Sequence, residues 1–453
     1  MSARRVAFDV LRQVTADDAY ANLALAKRLA TAGLDARDAG LATELVSGTC
    51  RLMGTYDKII EAAAGRKLST LQPAVLDLLR LGCHQLLSMG MAKHAAVGET
   101  VNLARETVGQ RVTGLVNAVL RKVARKTLLE WLQPLTPREQ VGATALHSHH
   151  PRWIAQSYVE ALAWQRGVNP RDFPGQELLV ELATALSANN DAPRPTLVVR
   201  PGLAEPSDFD DATPTRFSRF GATSTRTPAE QPLVRDGKAG VQDEGSQLVA
   251  WALANTAAPE GPWLDMCAGP GGKAALLAGL ARESGTWLLA SEAQEHRARL
   301  VRNALSAYPD GWQAMAGDGT RPAWRGAFAR VMADVPCTGL GALRRRPESR
   351  WRRSPNDIEA LGELQRELLR SALDSAAPGG VVAYVTCSPH RAETVEVVDD
   401  VVRERPEVIR LRAADSLPDV PDCAVGDYVQ LWPHIHGTDA MFLALLRVPT
   451  DAS

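Results

Sequence analysis

The chain has 453 residues, 45% of them apolar and 23% charged, a globular composition with length for about two to four domains. Cys50, Cys83, Cys267, Cys337, Cys387 and Cys423 stand singly. With no CxxC pair among them, a zinc ribbon or a thioredoxin-like motif is excluded, and free thiols fit a reducing compartment. The net charge of −1 hides an asymmetry: residues 1–130 hold 18 Lys and Arg against 12 Asp and Glu. A basic N-terminal module of this kind can present phosphate-facing charge.

The opening MSARRVAFDVLRQV lacks the apolar core of a signal peptide. No stretch reaches the ~18–20 apolar residues that span a bilayer. A cytoplasmic protein is expected. Residues 1–130 read as an all-α bundle. ANLALAKRLATAG, AGLATELVSGTCRLMGTYDKIIEAAA, PAVLDLLRLGCHQLLSMG and VGETVNLARETV repeat apolar residues at helical spacing, and VNAVLRKVARK closes the segment. Gly33, Gly65, Pro73 and Gly90 punctuate them. Residues 131–190 continue as a helical connector, including PRWIAQSYVEALAW. Its HSHHPRW run (His147, His149, His150) has no ligand-spaced partner, so an interdomain contact is expected there and no metal.

Near residue 191 the pattern changes. DAPRPTLVVRPG reads as a strand, a polar loop-rich stretch follows, and VQDEGSQLVAWALA starts a helix. From about residue 240 to 450 the strands WLDMC, TWLLASE, RVMADVP and VVAYVTCS alternate with helical segments. Such alternation predicts an α/β, Rossmann-like domain whose parallel sheet is covered on both faces.

The first of these strands runs into Cys267-Ala268-Gly269-Pro270-Gly271-Gly272-Lys273. Glycines there let the backbone turn tightly and approach a ligand at the strand's carboxyl end. Glu292 ends the next strand and can hold ribose hydroxyls. Asp318 follows the third and can bond an adenine amine. These placements suit any adenosine-containing cofactor, NAD included. Cys337, in DVPCTG, and Cys387, in TCSP, both fall at strand ends. Two thiols suit methylation of cytosine carbon-5. A thiolate adding to carbon-6 makes carbon-5 nucleophilic, an acid such as Asp334 holds the base, and a second cysteine assists release.

DMCAGPGGK, DVPCTGLGALRRRPESRW, YVTCSPHRAE and VQDEGSQL resemble the RsmB/Sun family of RNA cytosine-5 methyltransferases. ELVSGTCR, LRLGCHQLL and VNAVLRKV resemble the NusB-like domain of its RsmB branch. The resemblance implies S-adenosyl-L-methionine as cofactor, bound by Cys267 to Lys273 with Glu292, Asp318 and Asp334. It implies Cys387 as nucleophile, Cys337 in product release, and 16S ribosomal RNA as substrate of a monomer. Glu292 stands where the family has Asp, Gly269 where it often has Ala, Thr338 where it often has Ser, and Thr394 where it often has Asn.

LRRRPESRWRR, residues 343–353, holds six arginines around a tryptophan. Arg344, Arg345, Arg346 and Arg350 are expected on RNA phosphates, with Trp351 on a base or on arginine. The target base must leave its stack to reach a thiol. Three other readings stay open: a dinucleotide oxidoreductase, a transfer RNA cytosine-5 methyltransferase, and a non-catalytic RNA-binding or antitermination protein. The first and third leave both strand-end cysteines without work.

Overall fold

Apolar spacing in the N-terminal third builds the helices it predicts, in a computed structural model that describes residues 1–168 and 175–450. They are α1 (Ala3–Ala16), α2 (Ala21–Ala32), α3 (Ala36–Ala64), α4 (Pro73–Leu87), α5 (Lys93–Thr107) and α6 (Gln110–Val123). Gly33 and Gly65 end α2 and α3 at φ 63° and 68°, a left-handed turn that favours glycine. Pro73 opens α4, where a missing N–H costs nothing. Leu11, Leu45, Tyr56, Ile59, Ile60 and Leu78 are fully buried in one core, at about 1.5–3 kcal/mol for each large aliphatic chain.

Helices α7 (Leu128–Leu132), α8 (Gln140–His147), α9 (Arg152–Gln165) and α10 (Gln176–Ala188) follow. Residues 169–174 of the expected connector lie outside the described residues. Residues 1–163, 175–191 and 343–353 pack together as one compact unit. The histidine run serves this unit: His149 Nδ1 meets Thr55 Oγ1 at 3.1 Å, and His150 Nδ1 meets the Ser148 carbonyl at 2.6 Å.

Residues 343–353 correct the expectation for Arg350 and Trp351. Helix C-termini leave carbonyls without intrahelical partners. Arg350, with no exposed surface, donates to the His149 carbonyl at 3.0 Å, the Asn189 carbonyl at 3.1 Å and Asn190 Oδ1 at 2.7 Å. Arg352 does the same for the end of α1, donating to the Val14 and Ala19 carbonyls at 2.6 Å. Trp351 Nε1 donates to the Cys50 carbonyl at 2.9 Å, and its ring fills a slot that a Cβ on Gly54 would close at 2.3 Å. Glu348 Oε1 accepts from Ala21 N at 3.1 Å and so caps α2, whose own N-cap has no side-chain bond. Arg350 and Trp351 are therefore tied into the bundle, and Arg350 has no exposed surface to offer RNA. Arg344 is half-buried, while Arg345 and Arg346 are exposed, with Arg346 stacked 4.5 Å over the Tyr20 ring.

The second unit holds Trp164–Val168, Ala192–Ala342 and residues 354–450. It begins with a four-stranded antiparallel sheet, β1 (Thr196–Val199), β2 (Ala212–Pro214), β3 (Gly221–Ser224) and β4 (Ala239–Val241), in the order β2-β3-β1-β4. Only β1 was legible, because its TLVV is a β-branched, apolar run, whereas ATP, GATS and AGV in β2, β3 and β4 are short and built of small or polar residues. After α11 (Pro232–Arg235) and α12 (Glu244–Asn255) comes the expected alternation. It runs β5 (Trp263–Asp265), α13 (Gly272–Glu283), β6 (Leu288–Glu292), α14 (Glu295–Leu305), β7 (Trp312–Ala316) and β8 (Phe328–Asp334). After the short α15 (Ser349–Arg352) of the first unit come α16 (Pro355–Ser375) and β9 (Ala376–Thr386).

Strands β7, β6, β5, β8 and β9 pair in parallel, in that order. Trp263, Leu288, Ala290 and Met332 face the core shared with α12 and α13, whereas Leu264, Leu289, Val331 and Val382 face that of α16. The tail departs from the all-parallel expectation. Past α17 (Val395–Glu404), it adds β10 (Ile409–Leu411), β11 (Ala424–Val425), β12 (Tyr428–Gln430), α18 (Pro433–His436) and β13 (Phe442–Arg447). These strands extend the sheet antiparallel from β9.

Candidate active site

Strand β5 lies at the centre of the parallel set, with β6 on one side and β8 on the other. Strand order reverses there, the place where open α/β sheets bind ligands. The loop from Cys267 to Lys273 leaves β5 at this point. Gly271 sits at φ 112°, and a Cβ on it would come within 2.6 Å of Ala304 Cβ and 3.1 Å of Val301 Cα. Only glycine lets the loop lie this close to α14.

Glu292 is 4% exposed and pinned to the loop. Its Oε2 accepts from Gly269 N at 2.9 Å, and its Oε1 accepts from Gln294 N at 3.2 Å. Arg297 donates to the Gly269 carbonyl at 2.6 Å and lies 3.6 Å from Glu292 Oε2. A Cβ on Gly269 would fall 2.2 Å from that oxygen. The two departures noted from the sequence, glycine at 269 and the longer acid at 292, meet here: the Glu292 carboxylate occupies the space that a side chain at 269 would need. Asp318 is exposed, and Oδ1 accepts from Thr320 N at 2.9 Å and Thr320 Oγ1 at 2.8 Å. Those bonds hold its carboxyl below the usual range.

The loop's lysine turns away from it. Lys273 Nζ lies 2.8 Å from Asp334 Oδ2, at the end of β8, and donates to Ser246 Oγ at 3.2 Å. Cys337 and Cys387 extend two adjacent parallel strands whose register pairs Asp334 with Val385, and their sulfurs come within 3.4 Å. The hydrogen bond from Cys337 lowers the Cys387 thiol pKa, with help from the Lys273 charge, against burial, Asp334 and Asp439. Cys337 is pushed well up by the same bond and by burial. Burial pushes Cys267 up as well. Of the three thiols around the loop, Cys387 alone is shifted toward the thiolate.

A buried carboxylate braces the Cys337 turn. Glu393, fully buried, accepts from Thr338 N at 2.7 Å and from Thr338 Oγ1 at 2.5 Å. Tyr384 donates to the Glu393 carbonyl at 2.8 Å, and Gln365 donates to the Pro336 carbonyl at 2.9 Å. The threonine hydroxyl thus keeps the work a serine would do. Thr394 Oγ1 donates back to the His390 carbonyl at 3.0 Å.

Four residues here went unassigned in the sequence: Ser246, Asp265, Arg297 and Glu393. Asp265 had a signal, an acid ending the strand before the loop. Burial, with Asp334 next, raises its pKa to about 7. The Cys267 N–H faces it, yet neither oxygen is in a full hydrogen bond. Gln242, 6% exposed, lies beside Gly272 with neither amide atom bonded. The uncapped start of α13, the glycine cradle and the acids on three strands fit a cofactor with an adenosine and a charged amino-acid end.

Among the described residues, no group of three His, Cys, Asp or Glu could hold a metal. Among them, too, no helix is long and apolar enough to cross a membrane.

Residues 252–447 match the family model "16S rRNA methyltransferase RsmB/F", and residues 1–125 match "NusB family". A Mycobacterium tuberculosis protein named as a methyltransferase is 46% identical over 460 residues, covering 98% of this chain and 96% of its own. Ribosomal RNA small subunit methyltransferase B of Vibrio cholerae is 32% identical over 398 residues, 86% of each chain. The crystal structure of PH0851 superposes with a TM-score of 0.77 at 19% identity, over 98% of this chain and 99% of that one, a likeness of fold.

Proposed function

The chain belongs to the RsmB/F family of 16S rRNA methyltransferases, with a NusB-family region before the catalytic domain, and from this we propose its reaction in detail. It methylates carbon-5 of a cytosine in 16S ribosomal RNA, with S-adenosylmethionine as donor, through a covalent bond between Cys387 and carbon-6. The observation that carries this reading is the pair of thiols 3.4 Å apart at the ends of two adjacent strands, with the Lys273–Asp334 ion pair at the end of the same β8.

S-adenosylmethionine supplies an electrophilic methyl on sulfonium. The loop from Cys267 to Gly272 and Glu292 would hold its amino-acid and ribose parts, and Asp318 would take the adenine. The Cys387 thiolate adds to carbon-6, which makes carbon-5 an enamine carbon able to take the methyl. Nitrogen-3 takes a proton from solvent and its N–H donates to Asp334 Oδ1, while Oδ2 stays on Lys273. After transfer, nitrogen-3 returns its proton, the carbon-5 proton leaves to a solvent base and the carbon-6–sulfur bond breaks, which expels the Cys387 thiolate with Cys337 assisting that release. Arg344, Arg345 and Arg346 remain candidates for phosphate contacts, and the basic helical region adds non-specific affinity.

Wild type, Cys387→Ala and Cys337→Ala, each incubated with 16S RNA and S-adenosylmethionine, test this on a denaturing gel. Cys337→Ala is expected to trap a protein–RNA band. Cys387→Ala is expected to give no band and to lose methyl transfer by at least about a thousandfold. Methylation by Cys387→Ala would overturn the covalent mechanism. Methylation of carbon-5 in transfer RNA and not in 16S RNA would move the substrate and leave the chemistry.

A further inference from the structure

We propose that Ser246, on the first turn of α12, is a positioning residue that holds the Lys273 ammonium between Asp334 and Cys387. The proposal rests on the methyltransferase reading above and assigns work to the VQDEGSQL segment, which that reading left unused.

The placement of Lys273 is electrostatically awkward. It is the second residue of α13, and its ammonium reaches the first turn of α12. Both are positive helix ends, where a cation is disfavoured by about 0.3–1 kcal/mol each. The ammonium is nevertheless held there, with Asp334 Oδ2 at 2.8 Å and Ser246 Oγ at 3.2 Å.

The hydrogen-bond inventory fixes the direction of the serine contact. An ammonium has only donors, so Ser246 Oγ must accept. Its own proton points to Met441 Sδ at 4.0 Å. The hydroxyl is thus spent as an acceptor toward Lys273. Asp243 sets α12 in place by accepting from Gly245 N at 2.9 Å and Asp439 N at 3.0 Å. A Cβ on Gly245 would meet Met441 Cγ at 3.0 Å and Thr438 Cβ at 3.1 Å, so the turn packs tightly on the segment before β13.

Without Ser246, the ammonium keeps Asp334 as its hydrogen-bond partner and loses the second contact that fixes its position. The groups facing Cys387 are Cys337 and Asp334 from the end of β8, Lys273 from α13 and Asp439 from before β13. Asp265, at the end of β5, also acts on Lys273. Lys273 is the cation of this set, so moving it raises the pH at which Cys387 ionises.

The test is the pH profile of Cys387 carbamidomethylation by iodoacetamide, read by peptide mass, alongside kcat and KM. Ser246→Ala is expected to shift the midpoint upward by about half a pH unit or more and to lower kcat about 5- to 30-fold, the scale of one charge-assisted hydrogen bond. KM for S-adenosylmethionine should stay within about twofold, because the lost contact is to the thiol side. Ser246→Thr, which keeps the acceptor, should restore both. Ser246→Cys keeps the volume with a poor acceptor, so it should reproduce the alanine shift and serves if Ser246→Ala does not fold. An unmoved midpoint in a folded variant, with or without a fall in kcat, overturns the proposal. A shifted midpoint in an enzyme whose Cys387→Ala form still methylates would keep the positioning role and sink the covalent reading.

Discussion

Leu343 follows Cys337 by six residues, yet the two stretches serve opposite ends. At the Cys337–Cys387 pair, polar groups are set against each other: one sulfur bonds another, and a lysine lies near a thiol it helps ionise. In Leu343–Arg353, the polar groups at its end are quenched. Arg350 and Arg352 spend their donors on main-chain carbonyls, and Trp351 spends its N–H on another. Residue type flagged both regions equally. What separates them is whether the partner is a fixed backbone acceptor, which leaves nothing to react, or a second titratable group.

The sharpest way to break this contrast is at Arg350. Arg350→Met strands three acceptors, the Asn189 carbonyl buried and the other two part-buried, so a loss of about 3–5 kcal/mol is expected in urea unfolding. Methyl transfer per folded molecule should be unchanged. If stability holds while RNA affinity falls, Arg350 is an RNA contact and the contrast fails.

The second effect is smaller and tests the loop. Gly269→Ala forces its methyl against the pinned Glu292 carboxylate, an overpacking of about 1–3 kcal/mol that should weaken S-adenosylmethionine binding roughly tenfold in calorimetry. Adding Glu292→Asp withdraws the carboxylate and should recover most of the loss, a coupling that a double-mutant cycle measures. Additive losses would show that the two positions vary independently.

The smallest effect lies on the exposed arginines. Arg345→Ala should lower the salt-dependence slope of RNA binding by about one and affinity only a few-fold, as one phosphate contact does. Arg352→Ala should leave that slope alone and lower the melting temperature. A reversal of these two results would exchange the roles assigned within the segment.

Much of the site was legible because its signals are local. A glycine loop after a strand, acids ending the next two strands and cysteines in two proline-containing turns each declare themselves within a few residues. The bundle helices were legible for the same reason, through apolar spacing and glycine or proline stops. The antiparallel tail was not, since β11 and β12 are two and three residues long and take their strand character from pairing, β12 on β13 and β11 on β12.

The sequence by itself determined where the turns and reactive side chains fall, because backbone preference and residue chemistry act over neighbours. Tertiary structure alone decided what each one meets. Lys273 turns to Ser246 and Asp334, 27 and 61 residues away in the chain. Arg350 meets Asn190 from 160 residues away. A charge in water and a charge buried against a partner are the same residue in sequence, and only the fold supplies the partner that decides between them.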